Sequence, residues 1–310
     1  MSASIKGGDL ITLADWTPAQ VEGVLQRAVQ VKAERERYRH ALAGRTLALI
    51  FEKPSLRTRV TFEVGILELG GHPVYLSPSD IRLGQRESVH DVAHNLERMV
   101  SAVAARTLLH STVEELAQHA SVPVINALSD RFHPCQALAD YLTLREARGG
   151  LKGRVLAYVG DGNNVALSLI HGGARLGVEV RIATPEGYEP DAGEVERGRE
   201  AAQETGAIIR VTHDPAEAVE GADAVYTDVW TSMGQEDEMD ARRAVFRPYQ
   251  VDEKLFSRAR PDAIFLHCLP AHRGEEVTAA VADSQRSWIF PQAENRLHAQ
   301  KALLLGLLED

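Results

Sequence analysis

Nine short apolar runs, most of them followed by a stretch of helical spacing, set the tightest limit on what this chain can fold into. They lie near residues 46–51, 74–76, 102–105 and 122–126 in the first half, and near 155–159, 178–183, 208–211, 223–227 and 263–267 in the second. A strand, a helix and a further strand in succession require crossover connections, so the order predicts βα units and parallel sheets. The clearest helical stretches are 58–69, which stops at Gly70 and Gly71, and 88–100, where Ser88 can cap and Val89, Val92, Ala93, Leu96 and Met99 recur at helical spacing. Two more are 133–148 and 293–308, the latter with Leu297, Ala302, Leu304, Leu305 and Leu308 as packing positions. The glycines of 149–153 read as a joint. The expected fold class is α/β: two doubly wound parallel-sheet domains, 1–148 and 149–291, with a cleft between them and a C-terminal helix, 292–310, packing back on the first.

Composition removes several functional classes. The 310 residues suffice for two domains with real cores, and 34 basic against 44 acidic side chains leave a formal charge of −10. That balance argues against a nucleic acid or a membrane surface as partner, while an anionic small molecule would need a local basic pocket. Only Cys135 and Cys268 are present, each inside a motif, which fits a reducing cytoplasm rather than a disulfide framework. No apolar run approaches the roughly 20 residues of a membrane span, and residues 1–13 show no signal-peptide pattern.

At the end of the first run, Phe51-Glu52-Lys53-Pro54-Ser55-Leu56-Arg57-Thr58-Arg59 places two hydroxyls and two arginines where a strand gives way to a helix. Free N–H groups and the positive dipole end of a helix opening near Ser55 favour an anion, which Ser55, Thr58 and the guanidiniums could grip. On these residues alone a helix capped by Ser55 with solvated Arg57 and Arg59 remains an alternative. Further polar clusters fall at the carboxyl ends of the other runs, where such folds bind ligands. Arg106 follows the third, and Asp130-Arg131-Phe132-His133-Pro134-Cys135-Gln136 follows the fourth. In the second half come Gly160-Asp161-Gly162-Asn163-Asn164, then Asp228-Val229-Trp230-Thr231-Ser232-Met233-Gly234, then His267-Cys268-Leu269-Pro270, and Glu294-Asn295-Arg296 opens the final helix. The His and Cys spacings do not match the usual zinc pairs, so no metal is expected.

In that order the motifs resemble the aspartate/ornithine carbamoyltransferase family from about Leu10 to the C-terminus. The first are those of carbamoyltransferases generally, while Asp228, Ser232-Met233-Gly234 and His267-Cys268-Leu269-Pro270 are similar to the ornithine branch. The resemblance implies transfer of a carbamoyl group from carbamoyl phosphate to the side-chain amine of L-ornithine, with no cofactor. It assigns carbamoyl phosphate to Ser55, Leu56, Arg57, Thr58, Arg106, His133, Gln136 and Arg296, with Cys268 and Leu269 near the reacting amine. Arg57, Arg106, His133 and Cys268 are the implied catalytic residues. Asn164, Asp228, Ser232 and Met233 are assigned to the amino-acid end of ornithine. The chemistry is consistent: Arg106, His133 and Thr58 can donate to the carbamoyl oxygen, and the Gln136 carboxamide oxygen can accept from its NH₂. A hydrogen bond between Cys268 and Asp228 would help to orient or deprotonate the amine. One departure stands out, since the family usually shows Ser-Thr-Arg-Thr-Arg where this chain has Leu56; a contact through the backbone N–H would make the change cheap.

The loop 77–88, with Arg82 and Arg86, corresponds in related enzymes to one that reaches a neighbouring subunit's site, which implies a homotrimer or an assembly of trimers and a role for Arg82 in binding. A solvated surface loop is the alternative. Three rival functions compete with this one. A nicotinamide-dependent dehydrogenase would explain Gly160-Asp161-Gly162, but the third glycine position is Val165 and the next run ends Ala183-Thr184-Pro185 without a ribose-binding acid. Carbamoyl transfer to putrescine, N-acetylornithine or aspartate, and a non-catalytic subunit with the same fold, are the other two.

Overall fold

The structure, a computed structural model, describes residues 4–81, 83–231 and 239–309. The chain divides into two compact units, Met1–Leu142 with Glu294–Asp310, and Thr143–Ala293. It passes from the first to the second within one helix, α6, and returns within the last, α13.

In the first unit the strands are β1 (Thr46–Phe51), β2 (His72–Leu76), β3 (Ala102–Arg106) and β4 (Val124–Leu128), all parallel in the order β2-β1-β3-β4. The helices are α1 (Pro18–Ala33), α2 (Arg57–Glu68), α3 (Pro78–Ile81), α4 (Val89–Leu96), α5 (His110–His119) and the start of α6 (Pro134–Arg148). Residues of β1 and β3 are buried almost without a break, as expected for strands covered on both faces. Ala48, Ile50, Val103, Ala105 and Val124 share one face and pack on Val89, Val92, Ala93, Val113 and Leu116 of α4 and α5. Strand β2, at the edge, is only partly buried and tolerates Pro73. Helix α4 ends at Leu96, four residues short of the expected end, and Met99 is 71% exposed rather than packed.

Helix α2 buries Thr58, Phe62, Gly65 and Ile66 along one stripe. A Cβ on Gly65 would lie 3.4 Å from the Lys301 side chain, so the missing side chain lets α2 approach the C-terminal helix α13 (Ile289–Leu308) closely. Lys301 then reaches Glu68 at 2.7 Å. From Asn295 onward α13 is buried nearly all round, more than the five packing positions read from its sequence, because it lies inside the unit rather than on it.

The second unit has strands β5 (Val155–Val159), β6 (Glu179–Ala183), β7 (Ile209–Thr212), β8 (Ala224–Thr227) and β9 (Ile264–His267), parallel in the order β7-β6-β5-β8-β9. Between them run α7 (Asn164–Leu176), α8 (Ala192–Thr205), α9 (Pro215–Val219), α10 (Met239–Phe246) and α11 (Glu253–Phe256), and α12 (Ala279–Ala282) follows β9. Ala157, Val159, Val225 and Phe265 present one face of this sheet to Ala218, Val219, Phe256, Val281 and Ala282. Among the described residues no helix is long and apolar enough to cross a membrane.

Candidate active site

Both sheets reverse their strand order once, and the polar clusters that follow β1, β3, β5 and β8 border those two reversals, where parallel sheets open a crevice for ligands. In the first unit the reversal falls between β1 and β3. The chain leaving β1 enters α2, and β3 ends at Arg106, opposite Phe51. The pairing of β3 with β4 slips between Ala105 and Arg106, a bulge that re-aims the last side chain of the strand.

Arg106 is 6% exposed and donates from Nη1 to Ser55 Oγ at 3.3 Å, while its Nε has no hydrogen-bond partner among the described residues. Arg296, on α13, donates to Gln136 Oε1 at 2.6 Å and to Thr58 Oγ1 at 3.0 Å. Gln136 in turn donates to Asp140 at 2.8 Å. The Gln136 oxygen expected to accept from a carbamoyl NH₂ thus already accepts from Arg296 and keeps one further lone pair. His133 is buried at the start of α6. Ser55 does not cap α2: Leu56 is the capping residue, in helical backbone conformation and without a side-chain cap bond, because the chain is already helical there. Arg59 turns away to Glu63 at 2.9 Å and over the Tyr75 ring at 3.5 Å. Asp130, from the fourth cluster, accepts from the His110 N–H at 2.6 Å and so anchors α5.

The charges here are mostly of one sign. Burial, then Arg296 and Arg57, push Arg106 down to about 10. Burial and the same three guanidiniums hold His133 well below the ordinary imidazole value, so its ring is neutral at pH 7. No carboxylate pairs with Arg106 among the described residues. A buried guanidinium without a counter-charge would be stabilised by a bound anion.

In the second unit the reversal falls between β5 and β8. Asp228, just past β8, is 6% exposed and accepts at Oδ1 from Cys268 Sγ at 2.8 Å and from the Val229 N–H at 2.8 Å. Its Oδ2 accepts from Asn163 Nδ2 at 2.9 Å. Asn163 also caps α7 through Oδ1, and Tyr158 on β5 points its hydroxyl at the same oxygen. With three donors in place, the carboxylate keeps room for one more, such as an ammonium. Beside it, Asp161 accepts from Arg242 at 2.5 Å, and Arg242 also holds the Trp230 carbonyl. Burial pushes Asp161 up to about 6 against the pull of Arg242.

Cys268 owes its position to the turn that follows β9. The Leu269 N–H donates to His267 Nδ1 at 2.8 Å, which makes Nε2 the protonated nitrogen; it donates to Glu276 at 3.1 Å. Glu276 is fully buried and accepts also from the His272 N–H. Leu269 has φ +60°, a conformation a branched residue adopts only when its surroundings impose it, and the peptide to Pro270 is cis. One ligand atom from each of Asp228, His267 and Cys268 lies within 4.8 Å of the others, but both His267 nitrogens are engaged. The Gly-rich loop after β5 is filled by protein: a Cβ on Gly162 would stand 2.2 Å from the Pro190 backbone nitrogen. That glycine serves a backbone crossing, and no dinucleotide phosphate could approach it.

Of the residues singled out in sequence, Ser55 meets Arg106, Thr58 and Gln136 meet Arg296, and Cys268 meets Asp228. Arg57 is half-buried in the first turn of α2, and Leu56, 74% exposed, offers the site only its backbone. Asn164 is half-buried in the first turn of α7, and the neighbouring Asn163 makes the bond to Asp228. Arg82, Ser232 and Met233 lie outside the described residues. Sequence reasoning named Asn163 only within a polar cluster, with no role, and missed Asp140 and Glu276. Asn163 carried a signal, an Asn before an apolar helix, whereas Glu276 sits in a loop without one.

Two family models match the chain: the carbamoyl-P binding domain of aspartate/ornithine carbamoyltransferase over residues 8–146, and the Asp/Orn binding domain of the same family over residues 152–307. The ornithine carbamoyltransferase of Anoxybacillus flavithermus is 54% identical, over 99% of each chain. That of Pyrococcus furiosus, named as anabolic, is 52% identical over 98% of this chain and 97% of its own. The solved ornithine carbamoyltransferase from Pyrococcus furiosus superposes with a TM-score of 0.96 at 51% identity, covering 99% of this chain and 98% of that one. The one from Thermus thermophilus gives 0.87 at 52%, covering 97% and 99%.

Proposed function

We propose, for a chain that belongs to the aspartate/ornithine carbamoyltransferase family, that it transfers the carbamoyl group of carbamoyl phosphate to the side-chain amine of L-ornithine, giving L-citrulline and phosphate. The observation that carries the reading is the cation cluster of buried Arg106 and Arg296 with half-buried Arg57 around a neutral His133, which calls for a small dianion. Ser55, Thr58, Arg57 and the N–H groups at Leu56 and beyond take the phosphate. Arg106 and His133 donate to the carbamoyl oxygen, where negative charge grows as the carbonyl carbon becomes tetrahedral. Gln136 completes the pocket on the NH₂ side.

Ornithine is bound by its α-amino group to Asp228, with its carboxylate held by Asn164 and the Ser232–Met233 backbone. Its side-chain amine attacks as the neutral base, the Cys268–Asp228 hydrogen bond keeps that end of the site polar and fixed, and the departing phosphate takes up the proton that the nitrogen sheds as the C–N bond forms and the C–O bond to phosphate breaks. The neutral amine displaces phosphate directly, with no covalent enzyme intermediate, so proximity and a fixed field supply the acceleration. Steady-state citrulline formation with ornithine, putrescine, N-acetylornithine and aspartate side by side is the test. Turnover of ornithine at least tenfold above the rest is expected, and a preference for any other amine overturns the assignment.

The reaction takes place in a reducing cytoplasm that keeps both cysteine thiols free. The assembly is a homotrimer or a multiple of it, with Arg82 completing a neighbour's phosphate pocket. Its support is the outer stripe of α2, where Leu56, Val60, Val64 and Leu67 stand 74%, 46%, 36% and 53% exposed at helical spacing. Light scattering that returned the mass of one chain at micromolar concentration would remove this part.

A further inference from the structure

We propose that His90 and His94 of α4 and His119 of α5 form a three-imidazole site for a borderline divalent cation such as Zn²⁺ or Co²⁺, clipping the two helices together. His90 and His94 stand four residues apart and so share one face of α4, and His119 ends α5, which packs against it. The ring centroids are 4.4 Å apart for His90 and His94, 4.7 Å for His90 and His119, and 6.1 Å for His94 and His119. One ring nitrogen from each residue already lies within 4.8 Å of the other two. Metal–nitrogen bonds of about 2.0–2.1 Å in a tetrahedron need those nitrogens about 3.3 Å apart, so half-exposed rings must close by roughly 1–1.5 Å.

The chemistry around the rings favours metal over an ordinary solvated patch. His90 Nδ1 stands 3.1 Å from an Asp91 carboxylate oxygen, and His94 Nδ1 stands 3.2 Å from one of Glu97. A carboxylate can only accept, so in each neutral ring Nδ1 carries the proton and Nε2 presents the lone pair. That is the carboxylate–histidine arrangement that orients metal ligands. Glu97 is itself fixed by the Ser121 N–H, which donates to it at 2.8 Å. Arg98 Nε stands 3.7 Å from the same carboxylate. Three neutral nitrogens and an open fourth position for water suit zinc, cobalt or nickel better than magnesium or calcium.

The test uses full-length protein freed of metal and titrated with Co²⁺ by visible absorption and Zn²⁺ by calorimetry. Cys268→Ala serves as the parent, because Asp228, His267 and Cys268 are a second group of donors close together. The expected result is one equivalent bound with a tetrahedral cobalt spectrum lacking a thiolate charge-transfer band, and a higher unfolding temperature with Zn²⁺. His94→Gln and His119→Gln, both near the surface, should each abolish these signals while leaving the circular dichroism unchanged. Glu97→Gln should weaken binding by about 10- to 100-fold. Binding that survives His119→Gln, or a parent that takes up no metal at millimolar concentration, overturns the proposal.

Discussion

In the first unit the candidate binding groups are three guanidiniums and neutral donors packed together, whereas in the second a single carboxylate, Asp228, is wrapped by donors from Asn163, Val229 and Cys268. The first is unbalanced by itself: Arg106 and His133 are both pushed towards their neutral forms by burial and neighbouring positive charge. The second is nearly complete as it stands, with its hydrogen bonds made and its turn braced by Glu276. The contrast fits the proposed ligands. A dianion supplies the missing charge on binding, while a zwitterion with a reactive amine needs a site of fixed geometry and little net field.

The largest expected effect breaks the unbalanced half. Arg106→Met keeps the bulk and removes the charge, and should lower kcat/KM for carbamoyl phosphate by about 100- to 1000-fold. Because it also relieves repulsion with Arg296 and Arg57, stability should stay level or rise, as measured by urea unfolding. Lost activity together with lost stability would mean that Arg106 holds the fold rather than an anion.

Next in size is the balanced half. Cys268→Ala removes one hydrogen bond to a carboxylate, about 1.5–3 kcal/mol, so kcat/KM for ornithine should fall about 10- to 100-fold. Carbamoyl phosphate affinity by calorimetry should be unchanged; if it alone falls, Cys268 belongs to the other half.

A smaller effect concerns pH. His133 has a native pKa well below 6.5, so above pH 6.5 it is neutral in both states and contributes no pH dependence. Below that value the unfolded chain takes up a proton that the native state refuses, and stability falls with falling pH by up to about 1.4 kcal/mol per unit until the native pKa is reached. His133→Gln should remove that slope, and equal slopes in the two proteins would show that the ring is not shielded as described.

The same contrast explains what could be read in advance. All nine strands lie within two residues of their apolar runs, since a strand buried on both faces leaves an uninterrupted apolar signature. Helix ends were less legible: α4 stops at Leu96 although Met99 keeps the spacing, because periodicity does not report whether a partner surface extends that far. The anion-binding half was visible since its residues crowd one strand–helix junction. The partners that brace the site residues in both halves carried no such signal, and nothing in the local sequence of Glu276 or Asp140 announces a buried acid aimed at His267 or Gln136.

The smallest effect tests how the cradle grips its anion. Leu56 replaces the threonine usual in this family, its side chain is 74% exposed, and its backbone is helical with φ −73° and ψ −64°. A capping hydroxyl needs extended backbone at that position, so Leu56→Thr should gain no cap bond and change stability by less than about 0.5 kcal/mol. If the anion is held there through the main-chain N–H, the KM for carbamoyl phosphate should also stay within about twofold, since the substitution leaves that donor in place. A KM lowered tenfold would instead mean that a hydroxyl at 56 is itself a ligand group, and that this chain works with a cradle one donor short.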